Sequence, residues 1–190
     1  MSFNINPAPS EMEKRDEVLA KAYTNLIYFG RAFLPNDFLK KSESAPFHYE
    51  MGKKMIDTTP GARICNIIPR GHGKSVVAKA AIIHKLCFAA DDQQHFIAWV
   101  SEEQSQAIDH LKYIRSHFEN NKMIRYYFGN MDGGRAGKRW TEKDIVTPKG
   151  DRVIAKGTSQ RLRGRAEVDV RYTGIILDDF ESELNTKTPE

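Results

Sequence analysis

The chain has 190 residues, 40% hydrophobic and 28% charged, a length and balance that suit one domain with a substantial interior. The net charge of +4 is modest, and the two cysteines, Cys65 and Cys87, stand in apolar elements without metal-ligand spacing, which argues against a disulfide scaffold and for a reducing compartment. No apolar run approaches the ~18–20 residues a membrane crossing requires, and the opening MSFNINPAPS is no signal peptide, so no membrane partner and a cytosolic location are expected.

Ser10 opens the first predicted helix, with Glu13 three residues on completing a capping box. Val18, Leu19, Ala22, Leu26 and Phe33 give that helix an apolar face, and Gly30 and Pro35 end or kink it. Residues 36–50 read as a polar connector reaching Pro46-Phe47-His48-Tyr49, followed by a short helix. The chain thus divides into a helical extension and connector over 1–45 and a core over 46–190, whose first strand follows Gly61.

Residues 64–68 form an apolar run suited to a strand buried on both faces. It leads directly into Pro69-Arg70-Gly71-His72-Gly73-Lys74-Ser75. Gly71 and Gly73 can take positive φ, so the main chain can approach a polyphosphate with its amides facing inward at a helix start. Lys74 is placed to reach the β- and γ-phosphates, and the Ser75 hydroxyl to take one magnesium position. The usual pattern has a further glycine where Ile68 stands, and a Gly-x-Gly-Lys-Ser string alone is also compatible with a polar strand-to-helix loop. After it, Val76, Ala80, Ile83 and Cys87 recur at helical spacing, widened by Ala81 and Leu86.

Residues 95–100 read as the second strand, and Ser101 with Gln104 as the cap of a helix whose buried side is Ala107, Ile108, Leu111, Ile114 and Phe118. Residues 130–138 are glycine-rich and expected to be a mobile loop, and 144–147 with 152–156 a hairpin around Pro148-Lys149-Gly150. Between Arg135 and Arg171 there are eleven Lys/Arg against five Asp/Glu, interleaved with Trp140 and Tyr172. That run fits a polyanion footprint, such as DNA bound through its phosphates, and equally a solvated basic face.

Arg161, Arg163 and Arg165 alternate beside Gly164, a pattern no core strand tolerates. The functional reading is phosphate recognition, as an arginine finger or a DNA grip, with Arg163 the expected finger and Arg161 and Arg165 its substitutes. Finally, Ile175, Ile176 and Leu177 form a buried strand that delivers Asp178 and Asp179 at its carboxyl end. Asp178 is expected to hold magnesium and Asp179 to orient or deprotonate the attacking water, with Glu181 as the alternative acid. Strand, glycine turn and helix followed by an acidic strand end predict an enzyme that binds ATP and Mg2+.

At this point the chain resembles the large terminase subunit of tailed bacteriophages, over about residues 35–190. The resemblance is carried by Pro46-Phe47-His48, by the phosphate loop without its first glycine, by Leu162-Arg163-Gly164, and by Ile176-Leu177-Asp178-Asp179-Phe180-Glu181. It implies an α/β fold, a three-layer RecA-like P-loop NTPase sandwich of the ASCE kind with a mainly parallel sheet and an N-terminal helical extension. It also implies an ATPase motor that drives double-stranded DNA into a procapsid. Such a motor works as a homo-oligomeric ring on the viral portal, with a small terminase subunit, in the host cell cytoplasm. By the same resemblance Arg70 acts in cis on the phosphates, and Phe47 and His48 contact the adenine, although a glutamine is common in that motif. The expected cofactor-binding set is Arg70, Gly71, His72, Gly73, Lys74, Ser75, Val76, Phe47 and His48. Ser75 and Asp178 are the expected magnesium ligands.

Terminases carry a coupling motif and a carboxylate-rich nuclease domain beyond the magnesium-binding strand. This sequence stops twelve residues after Asp178, so an amino-terminal part without nuclease chemistry is expected. Two other readings are a superfamily-two helicase or restriction-type translocase, and a nucleotide-dependent scaffold with little turnover. The first fits Asp178-Asp179-Phe180-Glu181 less well than the terminase reading does.

Overall fold

The computed structural model describes residues 9–38, 43–59, 61–160 and 171–180, which fall into two compact units, Met1–His84 and Lys85–Glu190. The first unit is helical. It contains α1 (Pro9–Thr24), α2 (Leu26–Phe33), α3 (Pro35–Phe38), α4 (Pro46–Ile56) and most of α5 (Lys74–Cys87). The single opening helix expected from the periodicity is two helices. Asn25 leaves the helical conformation and its side chain accepts the Tyr28 amide at 3.0 Å, capping α2 and letting the apolar stripe change direction. Leu26, Ile27, Phe29, Phe33 and Leu34 are fully buried, with Phe29 and Phe33 rings 4.9 Å apart. Gly52 of α4 lies so close to α2 that a β-carbon there would stand 3.1 Å from Leu26 Cβ. His84 near the end of α5 donates Nε2–H to the Ala22 and Tyr23 carbonyls at 3.1 and 3.0 Å, tying α5 to the last turn of α1.

The second unit is built on a four-stranded, mostly parallel sheet in the order β2-β3-β1-β4, with β1 Phe96–Ser101, β2 Asp144–Val146, β3 Arg152–Gly157 and β4 Gly174–Leu177. β1 pairs in parallel with β3 (Trp99 beside Ala155) and with β4 (Trp99 beside Ile176). β2 and β3 form the expected antiparallel hairpin. β1 has a neighbour on each edge and is buried along its whole length. α6 (Gln104–Asn120) lies against β1 and β3 through Ala107, Leu111, Ile114 and Phe118, and α7 (Lys122–Phe128) follows, capped by Asn121. The opposite sheet face carries Phe96, Ala98, Val100 and Ile154, with Tyr172 stacked on Phe96 at 4.4 Å.

Several expectations are corrected here. Residues 62–69 form neither helix nor strand, and Ile67 is 93% exposed, so the strand expected at 64–68 is absent. A run of branched apolar residues favours extended backbone, but only a hydrogen-bonded neighbour makes it a strand, and the run does not encode one. Cys65 is accordingly exposed, whereas Cys87 is buried as expected and its thiol is pushed far up by burial. β4 lies at an edge of the sheet, with Ile175 and Leu177 about half exposed, and is not a central strand. Ser101 ends β1 and does not cap α6; the capping position is Glu103, which makes no side-chain bond there. The glycine-rich stretch at 130–138 is held by Asp132, whose Oδ1 accepts the Gly134 and Arg135 amides at 2.9 and 3.3 Å. The capping box at Ser10 and Glu13 falls on side chains outside the described ones.

His95, just before β1, is buried, and its pKa lies below the ordinary 6.5 because burial disfavours the imidazolium; Lys85 adds to this and Asp151 opposes it. A depressed folded pKa means the unfolded chain binds the proton more tightly. The associated stability is therefore complete above about pH 6.5 and is lost as pH falls through the lower folded value. Melting temperatures taken between about pH 7.5 and pH 5 should fall, and His95→Phe should flatten that part of the slope. An unchanged slope in the variant would assign the acid sensitivity elsewhere.

Candidate functional site

The glycine loop folds as its composition predicts. Gly71 and Gly73 have φ of +79° and +73°, a region that side chains with a β-carbon rarely enter, and His72 stands between them. The chain then enters α5 at Lys74, with the Val77 amide donating to the Gly73 carbonyl at 3.0 Å as the first helical bond. Lys74 folds back over the loop, donating Nζ–H to the Ile68 and Pro69 carbonyls at 2.5 and 3.1 Å. An ammonium ion aimed into its own loop is positioned to exchange those carbonyls for stronger anionic acceptors. Arg70, Gly71 and His72 are exposed, and Gly73, Lys74, Ser75 and Val76 are half-buried.

Phe47 and His48 occupy the first turn of α4, their rings 4.1 Å apart, with Phe47 6.2 Å from the His72 ring. His48 Nε2 lies 2.8 Å from the His72 carbonyl, and His48 Nδ1 lies 3.0 Å from the Ala45 amide. The structure therefore brings Phe47 and His48 to the glycine loop. The cleft of about 360 Å³ beside α4, lined by residues including Lys53, Asp57, Thr58 and Ile64, contains none of the expected site residues.

In the second unit the carboxyl ends of the parallel strands converge. The Asp178 amide donates to the Val100 carbonyl at 3.0 Å, and the Glu102 amide to the Asp179 carbonyl at 3.0 Å, so both acidic residues are pinned to the end of β1. Asp179 has φ of +45°, the left-handed region that aspartate and asparagine tolerate better than other side chains with a β-carbon. The Asp178 side chain is 13% exposed, and its Oδ2 lies 3.5 Å from His110 Nε2. The His110 ring is stacked on Trp99, with centroids 4.5 Å apart.

His110 is a site residue that the sequence reading missed. The signal was present, since residue 110 lies three positions after buried Ala107 and so flanks the inward stripe of α6. Ser101 was also missed as a site residue. It is 1% exposed, and its Oγ has no hydrogen-bond partner among the described residues. An orphaned hydroxyl beside a carboxylate-bearing strand end is an uncommon cost for a fold to carry.

The basic stretch is less free than its composition suggests. Of its eight described Lys/Arg side chains, Arg135 pairs with Asp132, Arg139 and Arg152 with Asp144, and Lys149 with Asp91. Arg152 grips Asp144 with two nitrogens, at 2.9 and 2.7 Å. Trp140 donates to Glu119 at 2.8 Å. These four of the eight described side chains are therefore held in ion pairs. Residues 157–160 are tied to the loop after β1, through Thr158 N–H to the Ser101 carbonyl at 3.1 Å and Gln160 Nε2 to Gln104 Oε1 at 2.8 Å. Arg161, Arg163, Arg165 and Glu181 lie outside the described residues.

The Ser75 hydroxyl of the first unit and the Asp178 carboxylate of the second are each hard oxygen donors, the kind that magnesium prefers. Among the described residues no three His, Cys, Asp or Glu side chains gather as a cage for a metal ion. No described helix is long and apolar enough to cross a membrane. No family model, curated protein or solved structure matches the chain.

Proposed function

We propose that this chain is the ATPase motor part of a viral DNA-packaging terminase large subunit. The observation that carries the nucleotide half of this reading is the loop itself: two positive-φ glycines around His72, opening into α5 with Lys74 folded over the loop carbonyls. Such a loop turns main-chain amides toward an anion and adds a mobile cation beside it. The sheet order, with acidic residues at the carboxyl end of a parallel strand, supports the same reading, because ligands of open parallel sheets lie at that end. The finer assignment, a three-layer RecA-like sandwich, belongs to this proposal.

In the proposed reaction Lys74 draws charge from the β- and γ-phosphates, with Arg70 assisting. Asp179 orients a water and takes its proton as the water oxygen bonds to the γ-phosphorus. The bond from that phosphorus to the bridging oxygen breaks, and ADP and inorganic phosphate leave. Ser75 and Asp178 are the residues that would hold magnesium, which would neutralise phosphate charge there. Glu181 is the alternative base. Arg163, with Arg161 and Arg165 as substitutes, is the proposed finger that a neighbouring subunit of a ring inserts in trans. Double-stranded DNA, a portal-bearing procapsid and a small subunit are the proposed partners.

The decisive experiment measures phosphate release with and without duplex DNA, alongside a strand-separation assay. Turnover that rises at least about tenfold on duplex, with no unwinding, is the expected result. Unwinding would move the assignment to a helicase, and nucleotide binding without turnover to a scaffold.

A further inference from the structure

We infer that His48 is a positioning residue of the phosphate loop, setting the direction of the Gly73 amide through the His72 carbonyl, rather than a contact for the base. The inference rests on the nucleotide reading above and adds a residue with a defined task.

The two hydrogen bonds of the imidazole determine its state. The Ala45 amide can only donate and the His72 carbonyl can only accept, so Nδ1 carries the lone pair and Nε2 carries the proton. A protonated ring would lose the Ala45 bond, so the bridging form is neutral. One edge of the ring thereby closes the first turn of α4, and the other holds the loop.

The consequence for the loop follows from peptide planarity. The His72 carbonyl and the Gly73 N–H belong to one trans peptide unit, so they point in opposite directions. Holding the carbonyl toward His48 aims the Gly73 N–H away from it. Of the two residues that flank this unit, Gly73 is a glycine at positive φ, so without an anchor the unit turns more easily than one between two residues with β-carbons. A β-carbon on Gly73 would sit 3.5 Å from His48 Nε2, an ordinary contact that leaves no gap between ring and loop. With both its ring nitrogens engaged, His48 retains no polar edge for a purine, and Phe47 alone is left as an apolar surface there.

Glutamine and asparagine separate the two bonds. A glutamine amide reaches the position of Nε2 and keeps the donor to His72, whereas asparagine places its oxygen near Nδ1 and keeps only the Ala45 bond. The experiment titrates the full chain with inorganic tripolyphosphate and, separately, with adenosine. His48→Ala and His48→Asn should weaken tripolyphosphate binding about tenfold, His48→Gln should stay within about twofold of the parent, and adenosine binding should not change. Loss of adenosine affinity with tripolyphosphate unchanged would overturn the inference in favour of a base contact. A second measurement, on ligand-free protein, records long-range proton–nitrogen correlations of the imidazole together with the Gly73 amide shift. An Nε2–H tautomer, with the Gly73 signal moved by His48→Ala and restored by His48→Gln, is expected. An Nδ1–H tautomer or an unmoved Gly73 signal would overturn the bridge. If the parent protein binds no tripolyphosphate, the nucleotide reading fails, while the ligand-free spectra still decide the bridge by themselves.

Discussion

Lys74→Ala should weaken triphosphate binding, and Asp179→Asn should keep binding while losing turnover. Lys74 is half-buried, with its ammonium already over the loop carbonyls, so reaching a phosphate requires side-chain rotation without loop refolding. Losing a charge-assisted bond of this kind costs about 1.5–3 kcal/mol, roughly ten- to a hundredfold in affinity. Asparagine at position 179 is a clean substitution on backbone grounds, since it accepts the φ of +45° as readily as aspartate does. It leaves the Glu102 bond to the residue 179 carbonyl in place and deletes only the basic oxygen. Removal of a general base should lower kcat by about 10²–10⁴-fold with little change in nucleotide affinity. Calorimetry with a slowly hydrolysed triphosphate, paired with single-turnover phosphate release, separates the two effects. Normal hydrolysis by Asp179→Asn together with a dead Glu181→Gln would hand the role of base to Glu181.

The largest stability loss should come from Asp151→Ala. Asp151 is 1% exposed; its Oδ1 accepts the His95 amide at 2.8 Å and its Oδ2 accepts the Thr147 hydroxyl at 3.1 Å. Thr147 is itself completely buried and accepts the Asp151 amide in return. Alanine would orphan a main-chain donor and a hydroxyl, each costing about 1–3 kcal/mol, so a total of about 2–6 kcal/mol is expected in urea unfolding. Asp151→Asn retains one acceptor and should lose less. The effect reaches the site because this carboxylate ties the β2–β3 turn to the start of β1, and that pairing in turn brings Gly157 beside Ser101. A loss below about 1 kcal/mol for the alanine variant would mean that water replaces the carboxylate.

The mobile parts of this chain's chemistry and its fixed parts were not equally legible. Local chemistry could be read directly. Gly71 and Gly73 announced positive φ, and short apolar runs announced strands at 95–100 and 152–156, within one residue of the observed ones. Residues 148–150 announced the hairpin turn, and the α6 periodicity announced its buried side. These features depend on backbone sterics and on a period of 2 or 3.6, both of which are properties of neighbours along the chain. What depends on partners distant along the chain was settled only in three dimensions. Residues 64–68 have strand-like composition but no hydrogen-bonded neighbour, and β4 takes an edge position although its residues suit an interior one. The Arg139 and Arg152 charges are absorbed by Asp144, which a count of basic residues cannot foresee. His48 beside the His72 carbonyl is 24 residues away in sequence, and His110 beside Asp178 is farther still. A side chain's type states which bonds it can make; which bond it does make is set by the group that folding brings within 3 Å or so of it.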